Sequence, residues 1–102
     1  MDIELLYSTG CPNQRLAEER LAEALAAVGR PGAEVTLRAV ETDEDAQALR
    51  FPGSPTIRVD GRDPFPTTAR TYGLTCRVYP TPDGLAGAPT VDQLVQALTR
   101  EP

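Results

Sequence analysis

The chain has 102 residues, 40% hydrophobic and 25% charged, with a formal net charge of −5, a composition ordinary for one soluble globular domain. All ten basic residues are arginines spread from Arg15 to Arg100, so there is no clustered basic surface of the kind that neutralises nucleic-acid phosphates, and no apolar run of about 18 residues spans a membrane. Histidine is absent, which removes Cys–His and Ser–His–Asp nucleophile pairs and most zinc sites, and two cysteines alone cannot hold an iron–sulfur cluster.

Residues 3–7 read as a short strand, Ser8-Thr9-Gly10 as a turn, and Cys11-Pro12 as the opening of an amphipathic helix running to about residue 28. Proline is favoured at the first helical position because its missing N–H has no partner there anyway. That makes Cys11 the predicted N-cap. Leu16, Ala17, Leu21, Ala24, Leu25 and Val28 recur at helical spacing on one face. Gly29-Arg30-Pro31-Gly32 stops the helix, with Gly29 suited to a left-handed residue just past its end. Residues 34–39 alternate polar and apolar, the mark of a half-buried strand.

Thr42 with Asp45 resembles a capping box ahead of a short helix that ends near Leu49. The breakers Pro52, Gly53 and Pro55 prevent its continuation, and residues 56–59 form a third strand closed by the turn pair Asp60-Gly61. Residues 62–75, with Pro64 and Pro66, show no clear period. Residues 76–79 read as a fourth strand and residues 80–89 as a loop. Thr90 with Gln93 then caps a final helix carrying Val91, Leu94, Val95 and Leu98. The predicted order is β-α-β-α-β-β-α: an α/β domain spanning residues 1–102, a four-stranded mixed sheet with helices on both faces. Its first two strands are parallel with a right-handed crossover, and its last two are antiparallel if they pair directly.

Cys11 is the first candidate for chemistry. Thiols at helix N-termini titrate at roughly 3.5–7.5 rather than about 8.5, because unpaired N–H groups and the helix dipole favour the thiolate. Cysteine is also an unusual cap if capping is its only role. Cys76 alternates in phase with Val78 and reads as a small buried hydrophobe. If the fourth strand returns beside the third, Cys76 pairs near Asp60, about 13 Å from the start of the third strand. A disulfide needs Cα atoms within about 7 Å, so a direct Cys11–Cys76 bond is not expected. Gln14 reads as a helix-surface residue, Tyr7 as strand packing, and Asp43-Glu44-Asp45 as a solvated helix start rather than a metal site.

Three features in this order resemble the thioredoxin-like superfamily: Cys11-Pro12 after the first strand, Gly53-Ser54-Pro55-Thr56 at the start of the third, and a closing strand, a loop with Gly84 and Gly87, and a last helix. The chain is also similar to small actinobacterial thioredoxin-like proteins with a Gly-Cys-Pro-Asn start, some labelled alkylmercury-lyase-like. The resemblance implies a cis Pro55, with Ser54, Pro55 and Thr56 forming a substrate-binding wall beside Cys11. The Ser54 backbone would be free to pair with an extended substrate. The family's second cysteine is Gln14 here, so no intrahelical disulfide can form.

The implied function is thiol-dependent redox or thiol-transfer chemistry. Cys11 is the nucleophile, attacking a disulfide, a glutathione adduct or another electrophile; the partners are a protein thiol/disulfide or a low-molecular-weight thiol, and an external thiol or Cys76 is the resolving group. A non-catalytic binding module and thiolate capture of a soft metal or organomercurial are the alternatives. No cofactor and no resident metal is implied. Neither nucleic acid nor a membrane is expected as a partner. No secretory leader precedes the first strand, so a cytoplasmic location is expected.

Overall fold

Leu5 and Leu6 are adjacent in sequence and both fully buried, which requires cover on both faces of their strand. That strand, β1 (Ile3–Ser8), has apolar cover on both faces and is the middle of a three-stranded mixed sheet. The computed structural model describes residues 2–65 and 71–100. Along one edge of β1 runs β2 (Val35–Val40), parallel, with Leu5 opposite Leu37. Along the other runs β3 (Thr56–Val59), antiparallel, with Leu6 opposite Thr56 and Ile3 opposite Val59.

The helix α1 (Gln14–Ala27) joins the parallel pair and packs with α3 (Val91–Arg100) on one face of the sheet. Ile3, Leu5, Ile57 and Val59 meet Leu21, Leu25, Leu94 and Leu98 there. The other face holds the smaller cluster of Leu6, Val40, Phe51 and Ala46, the last from α2 (Asp43–Leu49). Burying each large apolar side chain contributes about 1.5–3 kcal/mol, so the α1/α3 face carries most of the apolar stabilisation. Among the described residues, no helix is long and apolar enough to cross a membrane.

Local signals end the helices as predicted. Past α1, Gly29 takes φ +81. Its N–H donates to the Ala26 carbonyl and that of Arg30 to the Leu25 carbonyl, the paired bonds of a Schellman motif. The Thr42 hydroxyl accepts from the Asp45 N–H at the start of α2. At α3, Thr90 and Gln93 exchange both bonds of a capping box.

Three predictions are corrected. The helix α1 begins at Gln14 with Asn13 as its N-cap, two residues beyond the predicted cap Cys11. After Gly10 (φ +82) the chain makes two successive turns, Cys11 N–H to the Ser8 carbonyl and Gln14 N–H to the Cys11 carbonyl, before the first α-helical bond. Among the described residues the sheet has three strands rather than four. The Asp60-Gly61 turn returns the chain for only one bridge, Val59 with Arg62, and Pro64 then has no N–H to extend a ladder. Of the irregular stretch 62–75, residues 66–70, Pro66 among them, lie outside the described residues. The predicted fourth strand is replaced by a separate hairpin, β4 (Tyr79–Thr81) with β5 (Gly84–Ala86).

The third correction concerns Cys76, which is exposed rather than buried. The segment 76–79 does alternate, but in the opposite phase, with Arg77 and Tyr79 inside and Cys76 and Val78 outside.

Candidate functional site

The C-terminal end of β1 and the residues ahead of β3 meet at one end of the sheet, and both cysteines lie there. Ser8, the last residue of β1, accepts the Cys11 N–H on its carbonyl at 3.1 Å. Its own N–H donates to the Ser54 hydroxyl at 3.1 Å. Ser54 is buried, joined to Pro55 by a cis peptide bond, and lies two residues ahead of β3, where its hydroxyl meets the end of β1. Asn13 closes the site from the side of α1. A Cβ placed on Gly87 would overlap the Asn13 side chain, so the loop ahead of α3 packs directly against this turn, and a larger residue there would push the Asn13 amide aside. Asn13 makes no side-chain cap bond to its own helix.

The outer edge of Ser54 is filled by the chain itself. Its N–H donates to the Thr75 carbonyl at 2.8 Å and its carbonyl accepts the Arg77 N–H at 2.9 Å, a parallel bridge that sets Cys76 opposite Ser54. The backbone expected to be open for an extended substrate is therefore occupied. Gly53, at φ +142, makes the approach possible, since a Cβ there would meet the Arg77 Cβ at 3.1 Å and the Thr75 carbonyl at 3.2 Å. Farther back, the Gly73 N–H donates to the Phe51 carbonyl and the Gln47 side chain donates to the Tyr72 carbonyl.

A buried charged residue anchors this strap. Arg77 pairs with Asp63 at 2.5 Å, donates to the Phe65 carbonyl and to the Thr56 hydroxyl, and lies 4.5 Å over the Tyr79 ring. The Thr56 hydroxyl in turn donates to the Gly53 carbonyl. The Tyr79 hydroxyl donates to the Pro55 carbonyl, and its ring meets Phe65 edge-on at 5.6 Å. Burial is the main cause pushing the Tyr79 phenol well above its ordinary range, with Arg77 pulling it down and Asp63 pushing it up. A cation inside a protein is tolerated only with partners of this number and quality.

The structure thus brings together Cys11, Ser54, Pro55 and Cys76 of the predicted residues. Thr56 is fully buried, with its hydroxyl used internally. Gln14 behaves as a surface residue, its amide donating to Glu18 one turn on. Tyr7 is half-buried in β1, and the Asp43-Glu44-Asp45 run is exposed in the first turn of α2. Sequence reasoning passed over Ser8, Asn13, Asp63, Arg77 and Tyr79. The available signal was the Arg77/Tyr79 alternation together with an acidic residue and an aromatic, Asp63 and Phe65, one loop away. Both cysteines are free thiols, Cys11 half-buried and Cys76 exposed. Compared with known proteins, the chain matches no family model, no curated protein and no solved structure.

Proposed function

We propose that this chain is a thioredoxin-like thiol protein in which Cys11 attacks a disulfide or other electrophile and carries the resulting mixed disulfide or adduct. The observation that carries this reading is the shared platform: Ser8 bonds both the Cys11 turn and the Ser54 side chain, so a free thiol stands beside the cis Ser54–Pro55 segment. A parallel β1-α1-β2 unit with an antiparallel β3 and a closing helix is consistent with that family. With Gln14 in the position of a second helical cysteine, chemistry at this site stops at a mixed disulfide unless a thiol from elsewhere resolves it.

The filled Ser54 edge narrows the partner. An extended peptide would have to displace residues 75–77, whereas a low-molecular-weight disulfide needs only access to the sulfur. Small thiol–disulfide partners are therefore favoured over unfolded protein chains. A reducing cytoplasm would keep both thiols free for such exchange. The test is intact-mass spectrometry of the reduced protein after exposure to oxidised glutathione, with Cys11→Ser as the blank. Modification that requires Cys11 supports the reading. Cys11 remaining unmodified while an unstructured thiol peptide reacts would leave the binding-module alternative as the better one.

A further inference from the structure

We infer that Cys76 is the resolving thiol for Cys11, a role that rests on the thiol reading of Cys11 above. The expectation against it was a matter of register: a fourth strand antiparallel to β3 would carry Cys76 about four residues from the site, roughly 13 Å. The structure replaces that register. Cys76 is the bridge partner of Ser54 itself, and neighbouring strands lie about 4.8 Å apart. Cys11 reaches the same residue from the other side, through Ser8, by two hydrogen bonds of 3.1 Å each. The two thiols therefore flank one residue, and a disulfide between them, with its Cα atoms within roughly 7 Å, requires the Cys11 turn to close toward the anchored strap.

Two further observations separate this from the accident of a surface cysteine. Exposure at Cys76 leaves its sulfur free to move and react, while its neighbours on both sides, Thr75 and Arg77, are fixed to Ser54 by their backbones. The strap also carries the buried Arg77–Asp63 pair, a costly device that holds this segment against the site. A thiol mobile at its tip and anchored at its base is what attack on a neighbouring mixed disulfide requires.

The chemistry closes with a small disulfide as oxidant. The Cys11 thiolate attacks one sulfur of oxidised glutathione, forming Cys11–S–S–glutathione and expelling one glutathione thiolate. The Cys76 thiolate then attacks the Cys11 sulfur, forming Cys11–S–S–Cys76 and expelling the second. Two protein thiols lose two electrons and two protons, and one glutathione disulfide becomes two glutathione thiols.

The experiment uses the full chain, reduced and then treated with oxidised glutathione, quenched in acid and mapped without reduction. The wild type should yield a linked Cys11–Cys76 peptide whose amount does not depend on protein concentration, with little glutathione left on Cys11. Cys76→Ser should hold at least about tenfold more glutathione on Cys11. Circular dichroism of Cys76→Ser and Cys76→Ala should match the wild type, because the position is exposed. Equal retention of glutathione on Cys11 in the wild type and Cys76→Ser would overturn the inference and leave the Cys11 reading standing. A linkage only between two copies of Cys76 would overturn it as well. Cys11 unmodified in every variant would remove both readings together.

Discussion

The two edges of the sheet are closed by different means. At the β2 edge the strand faces water: Thr36, Leu37 and Arg38 are exposed, and the ion pair of Arg38 with Glu4 at 3.3 Å is a surface contact. At the β3 edge the chain folds back over the start of the strand and fixes itself with a buried arginine, a carboxylate and an aromatic ring. Charges on an edge strand discourage pairing with other chains at almost no cost in burial. Filling an edge with a strap demands desolvated polar partners. The first device guards a surface; the second builds a local structure, and it does so beside both thiols.

The comparison can be broken most severely at Arg77. Arg77→Ala leaves Asp63 without its partner and the Phe65 carbonyl and Thr56 hydroxyl short of a donor, and should cost about 3–5 kcal/mol in urea unfolding. It should also release the Ser54 amide to rapid hydrogen exchange. A loss under about 1 kcal/mol would mean that the pair behaves as a surface contact and the two edges are not different in kind.

A smaller effect is expected at Tyr79. Tyr79→Phe leaves the Pro55 carbonyl unsatisfied and should cost about 1–2 kcal/mol. This residue also sets an alkaline limit. Burial raises the phenol above its ordinary value, so the folded state binds the proton more tightly than the unfolded one. Its contribution is complete below the unfolded pKa near 10 and is lost as the pH climbs from there through the raised value, at about 1.4 kcal/mol per pH unit. Thermal melts from pH 8 to 12 should fall more steeply above about pH 10 in the wild type than in Tyr79→Phe.

The smallest effect belongs to the open edge. Arg38→Ala removes an ion pair whose arginine is 49% exposed, and should change stability by less than about 1 kcal/mol, an effect that fades further in high salt. A larger loss would show the β2 edge to be held by more than surface charge.

The same contrast explains which parts of the molecule were legible in the sequence. The strands β1, β2 and β3, the three helices, both threonine caps and the Gly29 terminus all follow from spacing and local hydrogen-bonding chemistry, and all occur where those signals lie. The segment around Cys76 misleads because hydrophobicity ranks Cys76 and Val78 as the inner pair, whereas Arg77 and Tyr79 are inside. Only a distant carboxylate, Asp63, makes that phase affordable, and single-sequence periodicity carries no record of a partner 14 residues away. At the candidate site, Cys11 and Ser54-Pro55 stood out through local turn chemistry. The helix start did not, because Asn13 packs against Gly87 instead of capping in the usual way, and that contact too is remote in sequence.

The central place of β1 has a consequence for synthesis on the ribosome. β1 leaves first and can dock with α1 and β2 as soon as residue 40 has emerged, yet its other edge receives no partner until residues 56–59 follow. During that interval Ile3 to Leu6 present a row of unpaired backbone groups flanked by apolar side chains, the template on which strands of other chains add. A product truncated near residue 50 should therefore scatter more light on standing than one that includes residues 56–59.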